Sequence, residues 1–380
     1  MAFSSVDTII DYLEPLNLSV LNNDESYNPK QLGSAVDVYT NNFPDVEAAD
    51  LIIIGCSEAR GAGAPKKDDD GINAVRIHFY NLYYWHTDIK IADIGNIKSG
   101  AVLEDTYAAL QQVLSELSAL NKKVVIIGGS HDIMLAQYNV FAVQQKIAEA
   151  VCIDAFLDMN TDSRRPAENF LMQLFTSEPN YLKHYNHIGF QSYFVHPSML
   201  ETIDKLSFDC YRVGIVKEHI ETMEPVLRNA NIVAFDITAI QNSHAPANRI
   251  TPNGFNGEEA CVLMQYAGMS SLANTIGIYG YNQKQDVSDL TAKQISHMLW
   301  YLIDGIQKGK NEAPLEQREY FNEFKLMFAD FETMFLQSKK TQRWWMQMPD
   351  KTFVACSGKD YTTALNNDIP ERWLRTAERL

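Results

Sequence analysis

The sequence predicts an α/β fold in which a mainly parallel β-sheet is covered by helices on both faces. Short apolar runs of strand length recur along the chain, and most end in Gly, Asp or a polar turn. Longer stretches with helical patterning, such as Tyr107–Leu120 and Ala136–Ala148, lie between several of them. The 380 residues are 46% hydrophobic, enough to fill a large core. Because strands and helices alternate, we expect parallel strands with helices packed on both faces.

Seven apolar runs are predicted as the strands of this sheet. Each has about the length of a buried strand, and most are rich in β-branched residues. In chain order they are Leu51–Gly55, Ile89–Ile94, Val124–Gly128, Ala150–Ile153, His187–Phe190, Asn231–Phe235 and Thr275–Ile278.

Regions that lack this alternation of strands and helices set the predicted domain boundaries. Residues 1–48 form a polar N-terminal leader with a short helix expected at its start, and residues 49–311 form the α/β domain. Residues 312–380 form a C-terminal extension that is expected to be helical at first and polar at its end. Its Trp344-Trp345 pair indicates docking, either on its own domain or on a partner. The Gly- and charge-rich segment Ser57–Gly71 is predicted to be a mobile loop.

Composition excludes several classes of function. A net charge of −16 argues against bulk binding to nucleic acid or to anionic membranes. The longest apolar runs are far too short to span a bilayer, and the first seven residues lack the basic region of a secretory signal. Five cysteines without a C-x-x-C pair indicate free buried thiols in a reducing compartment, so we expect a cytoplasmic protein.

Polar residues follow three of the predicted strands. His131 and Asp132 come after Val124–Gly128, and Asp154 and Asp158 come after Ala150–Ile153, while Asp236 follows the strand that ends at Phe235. The carboxyl ends of parallel strands meet at one edge of a sheet, where functional groups gather. One imidazole and three carboxylates there fit a site for a hard cation such as Mn²⁺ or Mg²⁺. The alternative is that the acids cap helices and the histidine is structural.

These segments, Gly128–Asp132, Asp154–Asn160 and Asp236–Thr238, resemble in this order the arginase (ureohydrolase) superfamily motifs G-G-D-H-S, D-A-H-x-D and S-x-D-x-D. The resemblance spans roughly residues 50–305. The arginine-bearing first loop and the stretch Gln191–Phe194 are similar to the formimidoylglutamase branch. The resemblance implies a three-layer α/β/α sandwich around about eight strands. It also implies hydrolysis of a guanidino or formimino C–N bond by a hydroxide that two Mn²⁺ ions share.

Carried over by position, the resemblance assigns one metal to four residues that are all present: His131, Asp154, Asp158 and Asp236. The second metal shares Asp154 and Asp236 but also needs a His and an Asp, where this chain has Phe156 and Thr238. Phenylalanine has no lone pair and a threonine hydroxyl is a weak neutral ligand, so the second site is expected to be empty. We therefore predict one Mn²⁺ or similar ion; the alternative is that no metal binds and backbone donors hold the acids.

Further departures concern the substrate. A family Glu that holds the cationic substrate nitrogen is replaced by Tyr279 or Gly280, whereas Asn160 matches a substrate-contact position. Arg60, Arg164 and Arg165 favour a small anionic ligand, and solvated loop charges are the alternative. The residues considered as stand-in ligands for a second metal are Asp132, Thr238 and His244.

Three functions remain open from the sequence. The first is a pseudoenzyme that acts as a binding or scaffold module, because two second-metal ligands and the substrate Glu are lost together. The second is an active metal-dependent hydrolase of linear amidines, with one metal or substitute ligands. The third is sensing of an anionic metabolite at the same cleft. The resemblance also implies a homo-oligomer, since family members form trimers or hexamers.

Overall fold

The computed structural model describes residues 8–22, 26–66, 71–328 and 331–379. Within these residues ten strands form the main sheet, in the order β1-β4-β3-β5-β10-β9-β6-β7-β8 with β2 beside β4. Their ranges are β1 (Leu13–Glu14), β2 (Asp37–Val38), β3 (Leu51–Gly55), β4 (Ile91–Ile97), β5 (Lys123–Ile127), β6 (Ala148–Ile153), β7 (Leu182–Phe190), β8 (Asp209–Arg212), β9 (Ile232–Asp236) and β10 (Thr275–Tyr279). The two-residue strand β1 pairs antiparallel with β4, and the other pairings are parallel.

Helices cover both faces of this sheet. In chain order they are α1 (Leu18–Leu21), α2 (Gly71–Tyr80), α3 (Leu103–Ala119), α4 (Met134–Val143), α5 (Pro166–Thr176), α6 (Pro197–Lys205), α7 (Val213–Glu218), α8 (Glu224–Asn229), α9 (Gly257–Met269) and α10 (Leu290–Gly309). Alternate residues of a strand point to opposite faces. Leu51 and Ile53 therefore pack with α2, α9 and α10, while Ile52 and Ile54 pack with α3, α4 and α5. The predicted three-layer sandwich around about eight parallel strands is confirmed.

All seven predicted strands are present, with ends shifted by a few residues. The predicted helical stretch Ala136–Ala148 is too long, because α4 ends at Val143 and Ala148 already begins β6. Gln145 has a left-handed φ of 52°, so the chain turns there towards the sheet. Residues 1–7 and 67–70 lie outside the described part, so the very start of the leader, where a helix is expected, and residues 67–70 of the predicted loop are not covered. Gly71, the last residue of that predicted loop, already begins α2.

The C-terminal extension differs most from the prediction. Instead of a helix, it begins with an antiparallel sheet of β11 (Phe321–Phe328), β12 (Phe331–Ser338), β13 (Trp344–Gln347) and β14 (Phe353–Cys356), followed by α11 (Gly358–Leu365) and α12 (Glu371–Ala377). We call these six elements the C-terminal module. Its apolar residues at 321, 324 and 328 also fit helical spacing, so the local pattern is ambiguous. Pairing with β12 along all of β11 decides for the strand.

The module packs against the main domain through Arg228 of α8. The Arg228 guanidinium lies 4.4 Å from the ring centroid of Trp345, and it donates to the backbone oxygens of Trp344 (2.9 Å) and Cys356 (3.3 Å). Trp344 instead stacks on Tyr361 inside the module. The tryptophan pair thus docks the tail on its own chain. No described helix combines the length and apolarity needed to cross a membrane.

Candidate metal site

Three strand ends near the middle of the sheet deliver an acidic cluster. His131 opens a 3-10 turn after β5, Asp154 directly follows β6, and Asp236 is the last residue of β9. These strands lie in the sheet order β5-β10-β9-β6, so their carboxyl ends are close together. One ligand atom from each of the three side chains lies within 4.8 Å of the others, and all three residues are buried. The predicted convergence of these strand ends is what the described residues show.

Asp158 joins the cluster through the imidazole. The His131 Nδ1 atom lies 2.9 Å from Asp154 Oδ2 and 3.1 Å from Asp158 Oδ2. Asp158 is half-buried and is therefore the member nearest to the solvent side. A single ring nitrogen is thus held between two carboxylates. We call His131, Asp154, Asp158 and Asp236 the acidic cluster.

Protein donors contact two further carboxylate oxygens of the acidic cluster, Asp154 Oδ1 and Asp236 Oδ1. The Thr238 hydroxyl donates to Asp154 Oδ1, and the Phe156 backbone N–H donates to the same oxygen at 3.2 Å. The Thr238 backbone N–H donates to Asp236 Oδ1 at 2.8 Å. The oxygens on this side of the cluster therefore have hydrogen-bond partners that require no cation.

The Phe156 ring lies in an aromatic contact beside the cluster. It stacks on Phe194, with ring centroids 4.4 Å apart and ring planes 19° apart, and both side chains are half-buried. Tyr193 packs edge-on against Phe194. Phe194 was noted in the sequence only as part of a stretch typical of one family branch. Its contact with Phe156 depends on two loops that are distant in sequence.

One imidazole faces three carboxylates in the acidic cluster, so it can balance only part of their charge. Burial opposes a charged His131, but the hydrogen bonds that its ring N–H donates to the Asp154 and Asp158 carboxylates outweigh it and raise the pKa of the imidazole well above its usual value. Burial raises the pKa of Asp158 to about 8 and that of Asp236 to about 6, and the nearby Asp154 carboxylate adds to both. Burial also opposes ionisation of Asp154, yet the His131 hydrogen bond lowers its pKa. The cluster therefore retains protons that a divalent cation would displace.

The donor set fits one hard divalent cation. Three carboxylates and an imidazole nitrogen are the ligands that Mn²⁺-type ions take in proteins. Behind the cluster, His187 Nε2 lies 3.0 Å from the Asp154 backbone oxygen, and its Nδ1 lies 2.8 Å from the Tyr185 hydroxyl. His187 fixes the chain that carries Asp154. The sequence placed it in a strand but could not indicate this contact, because the two residues are 33 positions apart.

The predicted ligand-binding arginines are not gathered at the acidic cluster. Arg60 donates to Glu58 and to the backbone oxygens of Ala101 (2.7 Å) and Val102 (3.0 Å). Its guanidinium is committed to closing the first loop onto α3, so its assignment to an anionic ligand is not supported by the contacts. Burial of Glu58 is outweighed by its bonds to Arg60, which lower the pKa of the carboxyl.

The other predicted contact residues lie on the loop between β6 and α5. Arg165 is exposed and pairs with Glu168 at 3.0 Å, and Arg164 is also exposed. Asn160 is exposed, and its side-chain oxygen accepts from the Asp162 backbone N–H at 3.1 Å. Among the described residues, Arg164 is therefore the one of the three predicted arginines for which no ion pair is seen.

The three residues considered as stand-in ligands for a second metal lie in different surroundings. The Thr238 hydroxyl contacts the acidic cluster, whereas Asp132 accepts from the Tyr107 hydroxyl and His244 is exposed. Burial raises the pKa of Asp132 to about 7. Gly280, with a φ of +81°, lies so close that a Cβ there would be 2.8 Å from the Asp236 carboxylate oxygens. Tyr279 is buried and donates to Gln137 instead, so neither residue offers an acid to a substrate.

Comparison with known proteins identifies the family of the chain and similar folds. The Arginase family matches residues 60–304. A Trypanosoma cruzi formiminoglutamase crystallised with Mn²⁺ is 16% identical, with a TM-score of 0.62 over 70% of this chain and 99% of that one. The Bacillus subtilis formimidoylglutamase is 14% identical, with a TM-score of 0.64 over 75% and 95%. An agmatine ureohydrolase of Thermoplasma volcanium is 19% identical, with a TM-score of 0.58 over 76% and 97%. No curated protein matches the sequence.

Proposed function

This chain belongs to the arginase family, and from that premise we propose that it binds one divalent cation of the Mn²⁺ type and lacks two-metal hydrolysis. It would then act as a binding or scaffold protein, a pseudoenzyme in a family of hydrolases. His131, Asp154, Asp158 and Asp236 would hold the ion. The sequence resemblance and the acidic cluster both support this assignment of ligands.

One observation carries the proposal. The Thr238 hydroxyl donates to Asp154 Oδ1, the carboxylate oxygen on the far side from His131. The family pattern shares the Asp154 carboxylate with a second metal, with an acid where Thr238 stands and an imidazole where Phe156 stands. A hydroxyl donor supplies a proton, not a charge that would attract a cation. The Phe156 ring, stacked on Phe194, supplies no lone pair.

With one ion, the site would retain attraction for an anionic or carbonyl oxygen but would lose the shared hydroxide of a metal pair. The residues of the chain would then orient a ligand, but the site would supply no nucleophile to attack it. His131 and the three carboxylates would fix the ion, and Phe156 with Phe194 would form an apolar wall beside it. A small anionic metabolite or a protein segment that presents an acid fits such a site. Arg164, exposed on the loop after β6, is the arginine available to that ligand.

A second candidate function is hydrolysis of a linear amidine C–N bond, as in formimidoylglutamate, with one metal or with substitute ligands. The observation in its favour is that Thr238 turns its hydroxyl oxygen towards the cluster. That oxygen could act as a weak neutral ligand once its proton is directed elsewhere. Metal content and turnover separate the two candidates.

The first experiment measures both quantities on the full chain. After loading with Mn²⁺ and removal of excess ion, elemental analysis is expected to give one manganese per chain. Formimidoylglutamate, arginine and agmatine are expected to show no turnover above a chelator-treated sample. Two ions per chain, or turnover that depends on Mn²⁺, would instead establish the hydrolase.

A restoration variant tests the assigned cause. Phe156→His combined with Thr238→Asp returns an imidazole and a carboxylate to the second position, and we expect the double variant to bind two Mn²⁺ ions. Each single variant supplies one of the two missing ligands and serves as an intermediate. The matched control is Phe194→His with Thr238→Asp, which adds the same groups but puts the imidazole on the stacked neighbour. Equal metal content in the double variant and this control would contradict the assignment.

The compartment of the protein also remains a proposal. The five cysteines are free thiols, four of them buried and Cys210 half-buried. Burial raises the pKa of Cys210 and Cys261 to about 12, which keeps these thiols protonated and unreactive. We infer a cytoplasmic location, because a reducing compartment is where unpaired thiols persist.

A further inference from the structure

The C-terminal module has two unlike sheet edges. Its strand order is β11-β12-β13-β14, so β11 and β14 are the edge strands. The β14 edge lies against the main domain, where Arg228 donates to the Cys356 backbone oxygen. The eight residues of β11 pair with β12 on one side only. In the described part of the chain no other backbone or side chain hydrogen-bonds to Phe321–Phe328, so the outer side of β11 is open.

An open edge of this length is unusual unless something pairs with it. Backbone N–H and C=O groups along a free strand form a template for another strand. Proteins commonly protect such edges with proline, bulges, a covering loop or charged side chains. The strand β11 contains no proline, and its pairing with β12 continues without a register shift. Two charged side chains, Glu323 and Lys325, stand on it, and both are exposed.

The side chains of β11 alternate between two faces. Phe324 faces α11, where its ring lies 5.2 Å from that of Tyr361. Glu323, Lys325 and Met327 point to the opposite face, and Met327 is 68% exposed. In the described residues neither Glu323 nor Lys325 has an ion-pair partner. An exposed apolar side chain and two unpaired opposite charges therefore share one face of an open strand.

We propose that two copies of this chain associate by pairing their β11 strands antiparallel about a two-fold axis at Phe324. An axis perpendicular to the sheet keeps the helices of both modules on one face and sets residues of the same face opposite each other. Centring on Phe324 places Glu323 of each copy opposite Lys325 of the other. It also places Met327 opposite Phe321. The result is one continuous sheet of eight strands across the two copies.

Charge selects this register over its neighbours. A shift that centres the axis on Glu323 sets the two Glu323 carboxylates opposite each other, and a shift to Lys325 does the same for the two ammonium groups. Directly opposed like charges destabilise a strand pair, whereas opposite charges contribute roughly 0.2–1 kcal/mol. The segment lies outside residues 60–304, which match the Arginase family. The surface is thus a property of this chain's extension and is independent of the metal proposal.

The test uses charge reversal in the full chain and sedimentation over a range of concentrations. The wild type is expected to dimerise. Lys325→Glu and Glu323→Lys each turn two attractive pairs into two repulsive ones, so each is expected to raise the dimer Kd roughly tenfold or more. The double variant E323K/K325E restores both pairs and is expected to dimerise as the wild type does. Lys359→Glu, the same charge change on the exposed side of α11, is the control and should have no effect.

Mixing the two single variants is the most specific part of the test. Lys325→Glu has two acids on β11 and Glu323→Lys has two bases, so the two variants are expected to form a heterodimer when combined. Circular dichroism of each variant shows whether it is folded. A wild type that stays monomeric at its highest soluble concentration overturns the proposal, and the edge then serves another partner. A sedimenting mass that both single reversals leave unchanged at every concentration, or folded variants that do not recombine, also overturns it.

Discussion

Asp93 and the acidic cluster are both buried in the main sheet, yet their charges are balanced differently. Asp93, in β4, accepts from Arg76 Nε at 2.8 Å, from Arg76 Nη2 at 3.0 Å and from the Tyr80 hydroxyl at 2.8 Å. Both Arg76 and Asp93 are almost completely buried. In the cluster, three carboxylates surround one imidazole. A balanced buried acid holds elements together, whereas an unbalanced one retains a requirement for a cation.

Asp209 is a third case, in which cations outnumber the acid. It lies in the edge strand β8 and contacts His184 Nε2 at 3.0 Å, Arg375 Nη1 at 2.7 Å and Arg379 Nη2 at 2.6 Å. The two arginines come from the C-terminal end of the chain, so this acid ties that end to the sheet. Its role is structural, like that of Asp93, but it is nearer to solvent.

The largest effect is expected at the balanced site. Asp93→Ala leaves the Arg76 charge buried without a counter-ion and is expected to lower the free energy of unfolding by about 3–5 kcal/mol. Urea unfolding, followed by a spectroscopic signal from the main domain, measures this loss of free energy. Asp162→Ala, an exposed acid, is the control and should lie within about 0.5 kcal/mol of wild type. Replacing both partners, as Arg76→Met with Asp93→Leu, is expected to cost less than Asp93→Ala alone; a larger loss would contradict the balanced-pair interpretation.

The next effect depends on metal. Asp236→Ala removes a ligand from the acidic cluster, so the variant is expected to hold no Mn²⁺ and to melt below wild type when the ion is present. At about 100 times the Kd, the wild type gains about 2.7 kcal/mol that the variant cannot gain. In the presence of a chelator, the difference in melting temperature between wild type and Asp236→Ala should vanish or change sign, because the variant lacks one of the mutually repelling acids. Elemental analysis and melting curves with and without Mn²⁺ measure both. Unchanged metal content in the variant would exclude the assigned site.

The smallest effect is expected at Asp209 and depends on pH. Burial opposes its ionisation, but the hydrogen bond to His184 and the charge of Arg379 lower its pKa from 3.8 to about 2. A folded-state pKa below the unfolded value contributes stability above the unfolded pKa that is lost as pH falls through the folded one. Asp209→Asn is therefore expected to cost about 1–2 kcal/mol at neutral pH, since solvent screens part of the attraction.

Urea unfolding of wild type and Asp209→Asn at a series of pH values measures this difference. The difference in free energy of unfolding between wild type and Asp209→Asn should narrow as pH falls from 3.8 towards about 2, because the wild-type carboxylate then becomes protonated. Asp162→Ala again provides the exposed control, with a gap that does not change with pH. A gap between wild type and Asp209→Asn that is constant from neutral to acidic pH would show that the carboxylate charge contributes nothing there.

The strands and the residues of the acidic cluster were predictable because each is a local property of the sequence. A β-branched run such as Leu51–Gly55 forms a strand in any parallel sheet, and its end coincides with the prediction. The motif residues follow strands directly, so the fold brings His131, Asp154 and Asp236 together. The C-terminal module was mispredicted because the spacing at 321, 324 and 328 fits a helix, whereas Phe324, Leu326 and Phe328 alternate as in a strand. Only pairing with β12 resolves that ambiguity.

By itself, the sequence determined the α/β class and the parallel strands, because residue type and short-range periodicity fix these. It also placed Phe156 and Thr238 where the family resemblance implies second-metal ligands. Tertiary structure decided where the remaining polar groups point. The Thr238 hydroxyl donates to an acid 84 positions away, and Arg60 closes on a carbonyl 41 positions away. Such contacts depend on loops that meet only after folding. Physical proximity, set by the sheet order, therefore decided which buried acids pair with an arginine and which share a single imidazole.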